Sequence, residues 1–141
     1  MNQEWSLDTL YKGYDDPEFL RDMEAVPERI DAYRQMAARL GEGDVKEQLI
    51  GALKEEERRR MFFSRLNLFL DLKSSVNTAD EQAAAGLAKV AMQTSTLKKD
   101  KTRVRKWIAS IENLQELIDS DPFLKEYEYY LLQIQKESAH L

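Results

Sequence analysis

The sequence predicts an all-α fold, and three observations lead to that prediction. Its 141 residues include only five glycines and three prolines, which favours long helices over turn-rich structure. Apolar residues recur three and four positions apart along several segments, which is the period of one helix face. Asp or Thr residues stand just before these segments, where their side chains cap helix N-termini. The length fits one domain, for which we predict about five helices.

The chain begins with an aromatic, irregular stretch, and we interpret residues 1–15 as an ordered strap. Asp16 and Pro17 then begin a helix over about 16–40, because Asp caps the first turn and Pro has no N–H to leave unpaired there. The apolar residues of this helix are spaced four and three apart, as in a heptad seam. They are Phe19, Met23, Val26, Ile30, Tyr33, Ala37 and Leu40.

A second long helix follows over about 44–76. Gly41 and Gly43 end the first helix, and Asp44 with Glu47 forms a capping box that opens the next. At its full length this helix spans about 48 Å, whereas a compact chain of this size is roughly 37 Å across. The sequence therefore predicts an elongated antiparallel helical bundle. Apolar side chains cover most of the helix circumference between 61 and 72, which predicts packing on more than one side.

Three further helices are predicted over about 78–97, 103–119 and 121–139. Thr78 and Glu81 have the capping-box pattern, and Asp121-Pro122 repeats the cap-and-proline start of the first helix. The basic stretch 98–103 is interpreted as a break between two helices. These elements make a single helical domain over 1–141. Because neither Gly, Asn nor Pro follows the last helix, we expect the chain to be part of a longer protein.

The composition excludes several kinds of site. With no cysteine, the chain can form neither a disulfide nor a thiolate metal site. With one histidine, His140, it cannot contain the paired imidazoles of an HExxH zinc site, so we predict no catalytic residue and no metal ligand in this chain. A net charge of −5 argues against nucleic acid as a partner. No leader-like segment and no long apolar run is present, so we predict a cytoplasmic protein without a membrane partner.

Two clusters have alternative interpretations. The stretch 98–106 holds six basic residues and is interpreted as a solvated helix junction rather than a nucleic-acid patch. Tyr127, Tyr129 and Tyr130 with Trp107 are interpreted as helix core, although the same aromatic face could serve a small-ligand carrier.

The two ends of the chain carry a family resemblance. Residues 5–19 have the sequence WSLDTLYKGYDDPEF, and residues 122–131 have the sequence PFLKEYEYYL, with His140-Leu141 closing the chain. Together with the helix that runs into Ser74–Asp80, these segments resemble the N-terminal domain of the oligoendopeptidase F family. Members of that family are zinc metallopeptidases related to thimet oligopeptidase.

The resemblance implies a role without catalysis by this chain. Relatives bind zinc through an HExxH helix in a later catalytic domain, while their N-terminal helical domain forms one wall of a channel for short peptides. This chain is then expected to pack on that catalytic domain of the same polypeptide, and zinc is expected only in the full-length hydrolase. The residues expected at the docking face or channel wall are Trp5, Leu10, Tyr11, Tyr14, Phe69, Tyr127, Tyr130 and His140.

The alternative is a freestanding all-α interaction module. Such a module would bury its heptad seams by self-association and form a homo-oligomer. Self-association into a homo-oligomer is also expected for the N-terminal helical domain when it is isolated, since its docking surface would then be uncovered.

Overall fold

A computed structural model describes residues 10–138, and in that part of the chain the fold is all-helical, as predicted. About 80% of these residues are helical and none forms a strand. Seven helices follow one another, against the five that were predicted. They are α1 (Pro17–Ala38), α2 (Val45–Val76), α3 (Glu81–Ser95), α4 (Lys98–Ala109), α5 (Leu114–Asp119), α6 (Pro122–Glu126) and α7 (Glu128–Ser138).

The described chain divides into two compact units. Unit 1 comprises residues 10–32 and 57–96, and unit 2 comprises residues 33–56 and 97–138, so that α1 and α2 each contribute to both. Between residues 10 and 138 no helix has the length and apolar character needed to cross a membrane.

Each unit has its own buried apolar side chains. The large ones of unit 1 are Tyr11, Phe19, Val26, Ile30, Phe63, Leu66, Phe69, Leu70 and Val90. Those of unit 2 are Tyr33, Leu40, Leu49, Leu53, Leu97, Val104, Ile108, Ile111, Leu114, Ile118, Leu124, Leu131 and Ile134. The heptad seam predicted for α1 is confirmed, because all its members except Met23 are buried.

The predicted starts of α1 and α2 are confirmed by their caps. The Asp16 carboxylate accepts a hydrogen bond from the Glu18 backbone N–H at 2.9 Å, and the Asp44 carboxylate accepts one from the Glu47 N–H at 2.9 Å. Gly41 ends α1 with φ +94°, a conformation that costs a residue with a Cβ extra strain.

Helix α3 begins later than predicted, and a different residue caps it. Asp80, not Thr78, is the N-cap, and its carboxylate accepts from the Ala83 N–H at 2.9 Å. The face that α3 buries contains Ala83, Gly86 and Val90. Other small residues of this helix are exposed, namely Ala84, Ala88, Ala91 and Ser95.

The prediction of one helix over 103–119 is wrong at both its start and its continuity. The basic stretch does not break the chain but forms the first turns of α4, since Lys and Arg are good helix formers. The break comes at residues 110–113, where the Ser110 hydroxyl donates to the Trp107 carbonyl at 2.6 Å. The Ile111 carbonyl, left outside the helix ladder, accepts from the Gln135 side-chain amide at 2.8 Å.

The prediction of one helix over 121–139 is also incorrect, although its start is confirmed. The Asp121 carboxylate accepts from the Phe123 N–H at 2.8 Å, and Pro122 follows it as the first helical residue. At Tyr127, with φ −99° and ψ 10°, the backbone leaves the helical range, and this separates α6 from α7. Neither Gly nor Pro marks this interruption in the sequence.

Two helical glycines give a matched test of the packing. A Cβ on Gly86 would lie 3.0 Å from a methyl carbon of Leu70, which is fully buried, whereas a Cβ on Gly51 would meet nothing within 4 Å. Gly51→Ala should therefore stabilise the chain by about 0.5–1 kcal/mol, because it removes backbone freedom from the unfolded state. Gly86→Ala should lose that gain to the clash. Urea unfolding measures both, and an equal gain in the two variants would contradict the close packing of α3.

Candidate docking surfaces

The residues before α1 are held in unit 1 by contacts between aromatic rings. Tyr11 is 5% exposed, and its ring meets those of Phe19 and Phe69 edge-on, with centroids 5.3 and 5.2 Å apart. The Tyr14 ring meets the same two rings at 5.8 and 5.7 Å. Such edge-to-face pairs contribute about 0.5–1.5 kcal/mol each beyond the area they bury. Residues 10–16 are thus fixed to α1 and α2 and are called the strap below, while residues 1–9 of the predicted strap lie outside the described residues.

A charged network surrounds the first of these tyrosines. The Tyr11 hydroxyl donates to the Asp22 carboxylate at 2.5 Å, and the Arg65 guanidinium lies 4.1 Å from the centre of the Tyr11 ring. Arg65 also pairs with Glu18 at 3.0 Å and with Asp22 at 3.5 Å. Burial, and then the bond to Asp22, raise the pKa of Tyr11. The hydroxyl therefore stays protonated and donates across the whole physiological range.

The second tyrosine joins the strap to the start of α3. The Tyr14 hydroxyl donates at 2.7 Å to Asp80, the residue that caps α3. Burial, and then this hydrogen bond, raise the pKa of Tyr14 to about 12. The Ala83 backbone N–H, and after it the Tyr14 hydroxyl, lower the pKa of Asp80. The Lys73 ammonium lies 5.2 Å from the centre of the Tyr14 ring.

Beside the strap lies an open apolar groove of about 240 Å³. Its lining, here called the strap groove, consists of Leu10, Tyr11, Lys12, Phe69, Leu72, Lys73 and Val76. Leu72 is 44% exposed and Val76 is 89% exposed. Four positions apart on α2, these two side chains lie on one helix face. The groove therefore presents uncovered apolar surface together with the side chains of two lysines.

Unit 2 contains a smaller aromatic row. The rings of Phe123 and Tyr127 are 5.3 Å apart, and those of Tyr127 and Tyr130 are 6.2 Å apart. The Lys54 ammonium lies 5.5 Å from the centre of the Phe123 ring. Tyr129, also in α7, is 80% exposed.

The structure places the predicted docking residues in two groups and leaves two outside. Leu10, Tyr11, Tyr14 and Phe69 come together in unit 1, and Tyr127 and Tyr130 adjoin in unit 2. Trp5 and His140 lie outside the described residues. Because Tyr11 and Phe69 are 5% and 4% exposed, they form the wall of the strap groove rather than a free surface.

Sequence reasoning missed the exposed side chains of the strap groove. Leu72 was expected to be packed, and it and Met61, at 44% and 70% exposed, are exceptions to the predicted packing of the 61–72 segment on more than one side. Val76 was not considered. A signal was present, however, since α2 carries more apolar residues near its C-terminal end than one helix face can bury.

The described residues show no metal centre, and comparison with known proteins gives no relative. From residue 10 to residue 138, no three His, Cys, Asp or Glu side chains are grouped as metal ligands would be. No family model, curated protein or solved structure matches the chain.

The hydrogen bond from Tyr14 to Asp80 should make the stability of the fold depend on pH. Since the folded pKa of Tyr14, about 12, exceeds its ordinary value of 10.0, the bond stabilises the fold fully below pH 10 and loses its effect as the pH rises towards 12. Tyr14→Phe should therefore destabilise the chain at pH 8, and the deficit should shrink between pH 10 and 12.

Urea unfolding at pH 8 and at pH 12 measures how much lower the free energy of unfolding is in Tyr14→Phe than in the wild-type chain. Tyr129→Phe is the control, because its side chain is 80% exposed and should cost little at any of these pH values. A Tyr14→Phe deficit that stays constant up to pH 12 would show that the hydroxyl does not anchor the strap.

Proposed function

We propose that this chain is the N-terminal helical domain of an oligoendopeptidase F-like zinc metallopeptidase. In this proposal it packs on the catalytic domain of the same polypeptide and forms one wall of a channel that admits short peptides. Its helices form an elongated antiparallel bundle, and the protein works in the cytoplasm without nucleic-acid or membrane partners. Zinc and peptide hydrolysis belong to the catalytic domain, so this chain alone is inactive.

The strap groove is the observation that supports the proposal best. Contiguous apolar surface left open on a folded protein is typical of an interaction site. Here Leu72 and Val76 are open to solvent beside buried Tyr11 and Phe69, while Lys12 and Lys73 supply charged groups at the margin. An apolar centre with a polar rim is the usual composition of a protein–protein interface.

The strap adds rigidity to this surface. Its two tyrosines are fixed by ring contacts and by hydroxyl bonds to Asp22 and Asp80, so the groove wall exists before a partner arrives. A preformed surface loses less conformational freedom on binding than a flexible one. A domain that must keep one side of a channel in place has need of such a wall.

The isolated chain should neither bind zinc nor cleave peptides. Its single histidine cannot supply the two imidazoles that the metal site of this peptidase class requires. Atomic absorption after gel filtration measures the zinc, and a quenched fluorescent peptide measures hydrolysis. One zinc held per chain, or cleavage that a chelator abolishes, would contradict the proposal. The reading frame after Leu141 is a second test, because the proposal requires it to continue into an HExxH motif.

A second candidate is a self-associating module, and the exposed groove side chains favour it too. Under either function the isolated chain should self-associate as its concentration rises, since the strap groove is uncovered. Leu72→Glu and Val76→Glu should each abolish this association by placing a carboxylate on the contact surface. Met92→Glu is the matched control, because Met92 is 65% exposed but does not line the groove.

Sedimentation velocity from micromolar to millimolar concentration measures these effects. A strictly monomeric wild-type chain would contradict both candidates. Equal loss of association in Met92→Glu would show that the strap groove is not the surface involved. A stop codon directly after Leu141 would favour the module over the peptidase domain.

A further inference from the structure

A second groove, within unit 2, carries positive charge that the proposed function does not use. It has a volume of about 500 Å³ and is open to solvent along one side of α4. Its lining, here called the basic groove, consists of Leu40, Lys99, Thr102, Arg103, Lys106 and Trp107. No carboxylate is among these lining residues, although the chain as a whole has a net charge of −5.

The two lysines of this groove have no anionic partner among residues 10–138. Neither the Lys99 nor the Lys106 ammonium forms an ion pair with a described residue. The nearest acid in sequence, Asp100, pairs instead with Arg34 at 3.4 Å. Both ammonium groups are therefore available to attract an anionic ligand that enters the groove.

Arg103 is partly occupied by the end of α1. Its Nε donates to the Ala37 carbonyl at 2.7 Å, and one of its terminal nitrogens donates to the Ala38 carbonyl at 3.4 Å. These bonds fix the guanidinium in place at the end of α1, where the Ala37 carbonyl also accepts from the Leu40 backbone N–H at 3.3 Å. A guanidinium has five N–H donors, so further donors remain for a ligand.

Two apolar side chains, Leu40 and Trp107, also line the groove. Leu40 is 7% exposed and Trp107 is half-buried, and the Trp107 indole N–H donates to none of the described residues. A ligand that lies in the groove thus meets these side chains as well as the cations, and the indole N–H is without a partner among the described residues. Phosphate or chloride would interact only with the cations, whereas a peptide with both acidic and apolar side chains would contact the cations and the apolar lining together.

The spacing of the cations suits an extended peptide. Lys99, Arg103 and Lys106 follow one another at four and three positions, so they share one face of α4. The two lysines are separated by seven residues, which is about 10.5 Å along a helix. Three residues of polyproline II chain, an extended conformation with three residues per turn, span about 9 Å and bring the side chain back to the same side. Two carboxylates three positions apart in a peptide can therefore reach both ammonium groups.

We propose that the basic groove binds an acidic peptide segment in an extended conformation. Carboxylates three residues apart pair with Lys99 and Lys106, and an apolar side chain between them packs on Leu40 and Trp107. The site lies entirely in unit 2 and does not depend on the proposed peptidase role. Nucleic acid fits less well, because three cations in an acidic chain neutralise few phosphates. An enclosed small molecule fits less well because the groove is open, whereas small-ligand sites bury most of their ligand.

Fluorescence of Trp107, read in a Trp5→Phe background, tests the proposal. The probe is a short synthetic peptide with a central Glu-Leu-Gly-Glu, and the matched peptide has Gln-Leu-Gly-Gln. We expect a saturable change with the first peptide only, weakened by added salt because both partners are exposed charges. Lys99→Gln combined with Lys106→Gln should weaken binding about tenfold. Lys89→Gln combined with Lys136→Gln is the control, because it removes the same charge from exposed lysines outside the groove.

The following results would contradict the proposed binding of an acidic peptide. Equal loss in the two double variants, or equal binding of the Glu and Gln peptides, would overturn the proposal, since only bulk charge would then matter. No saturable change with the Glu peptide would overturn it as well. Tighter binding of a short oligothymidylate than of the Glu peptide at the same salt concentration would overturn the proposal and identify nucleic acid as the ligand class. Far-UV circular dichroism establishes that each variant is folded, and the single lysine variants repeat the test if a double variant is not.

Discussion

The burial of one tyrosine is the constraint on which unit 1 depends. Tyr11 has to leave water with its hydroxyl satisfied, and Asp22 on α1 supplies the acceptor while Phe69 on α2 supplies the apolar contact. Tyr14 then extends the same strap to Asp80, which caps α3. Seven residues of irregular chain thus touch three helices. The strap groove exists because this strap lies against α2 and leaves the last apolar turns of that helix uncovered.

Regular elements were predictable where the sequence repeats a helical period or carries a cap with a proline. The α1 seam and the starts at Asp16, Asp44 and Asp121 are of this kind, because each depends on residues close in sequence. The interruption after Ser110 involves another segment of the chain. The Ile111 carbonyl makes no hydrogen bond within α4 and accepts instead from the side-chain amide of Gln135 on α7. Local propensity contains no information about such a partner.

The docking surfaces were predictable only in part, for a similar reason. The family resemblance implied that Tyr11, Tyr14 and Phe69 meet a partner, but it gave no indication that their rings meet one another. On α2 the apolar residues surround the helix, so periodicity cannot show which ones stay exposed. The basic groove was hidden in the same way. Its lysines are evident in the sequence, but their apolar surroundings appear only when Leu40 is placed beside Trp107.

The position of Arg65 has a consequence for the substitutions that the chain can accept. Its guanidinium stacks on the Tyr11 ring while pairing with both Glu18 and Asp22, so one planar group meets an aromatic face and two carboxylates together. A lysine there would keep the charge, but an ammonium has neither the flat face nor the forked donors. Among natural variants of this protein, Lys at position 65 should therefore be rarer than its chemical similarity to Arg suggests. Where it does occur, position 11 should have changed as well.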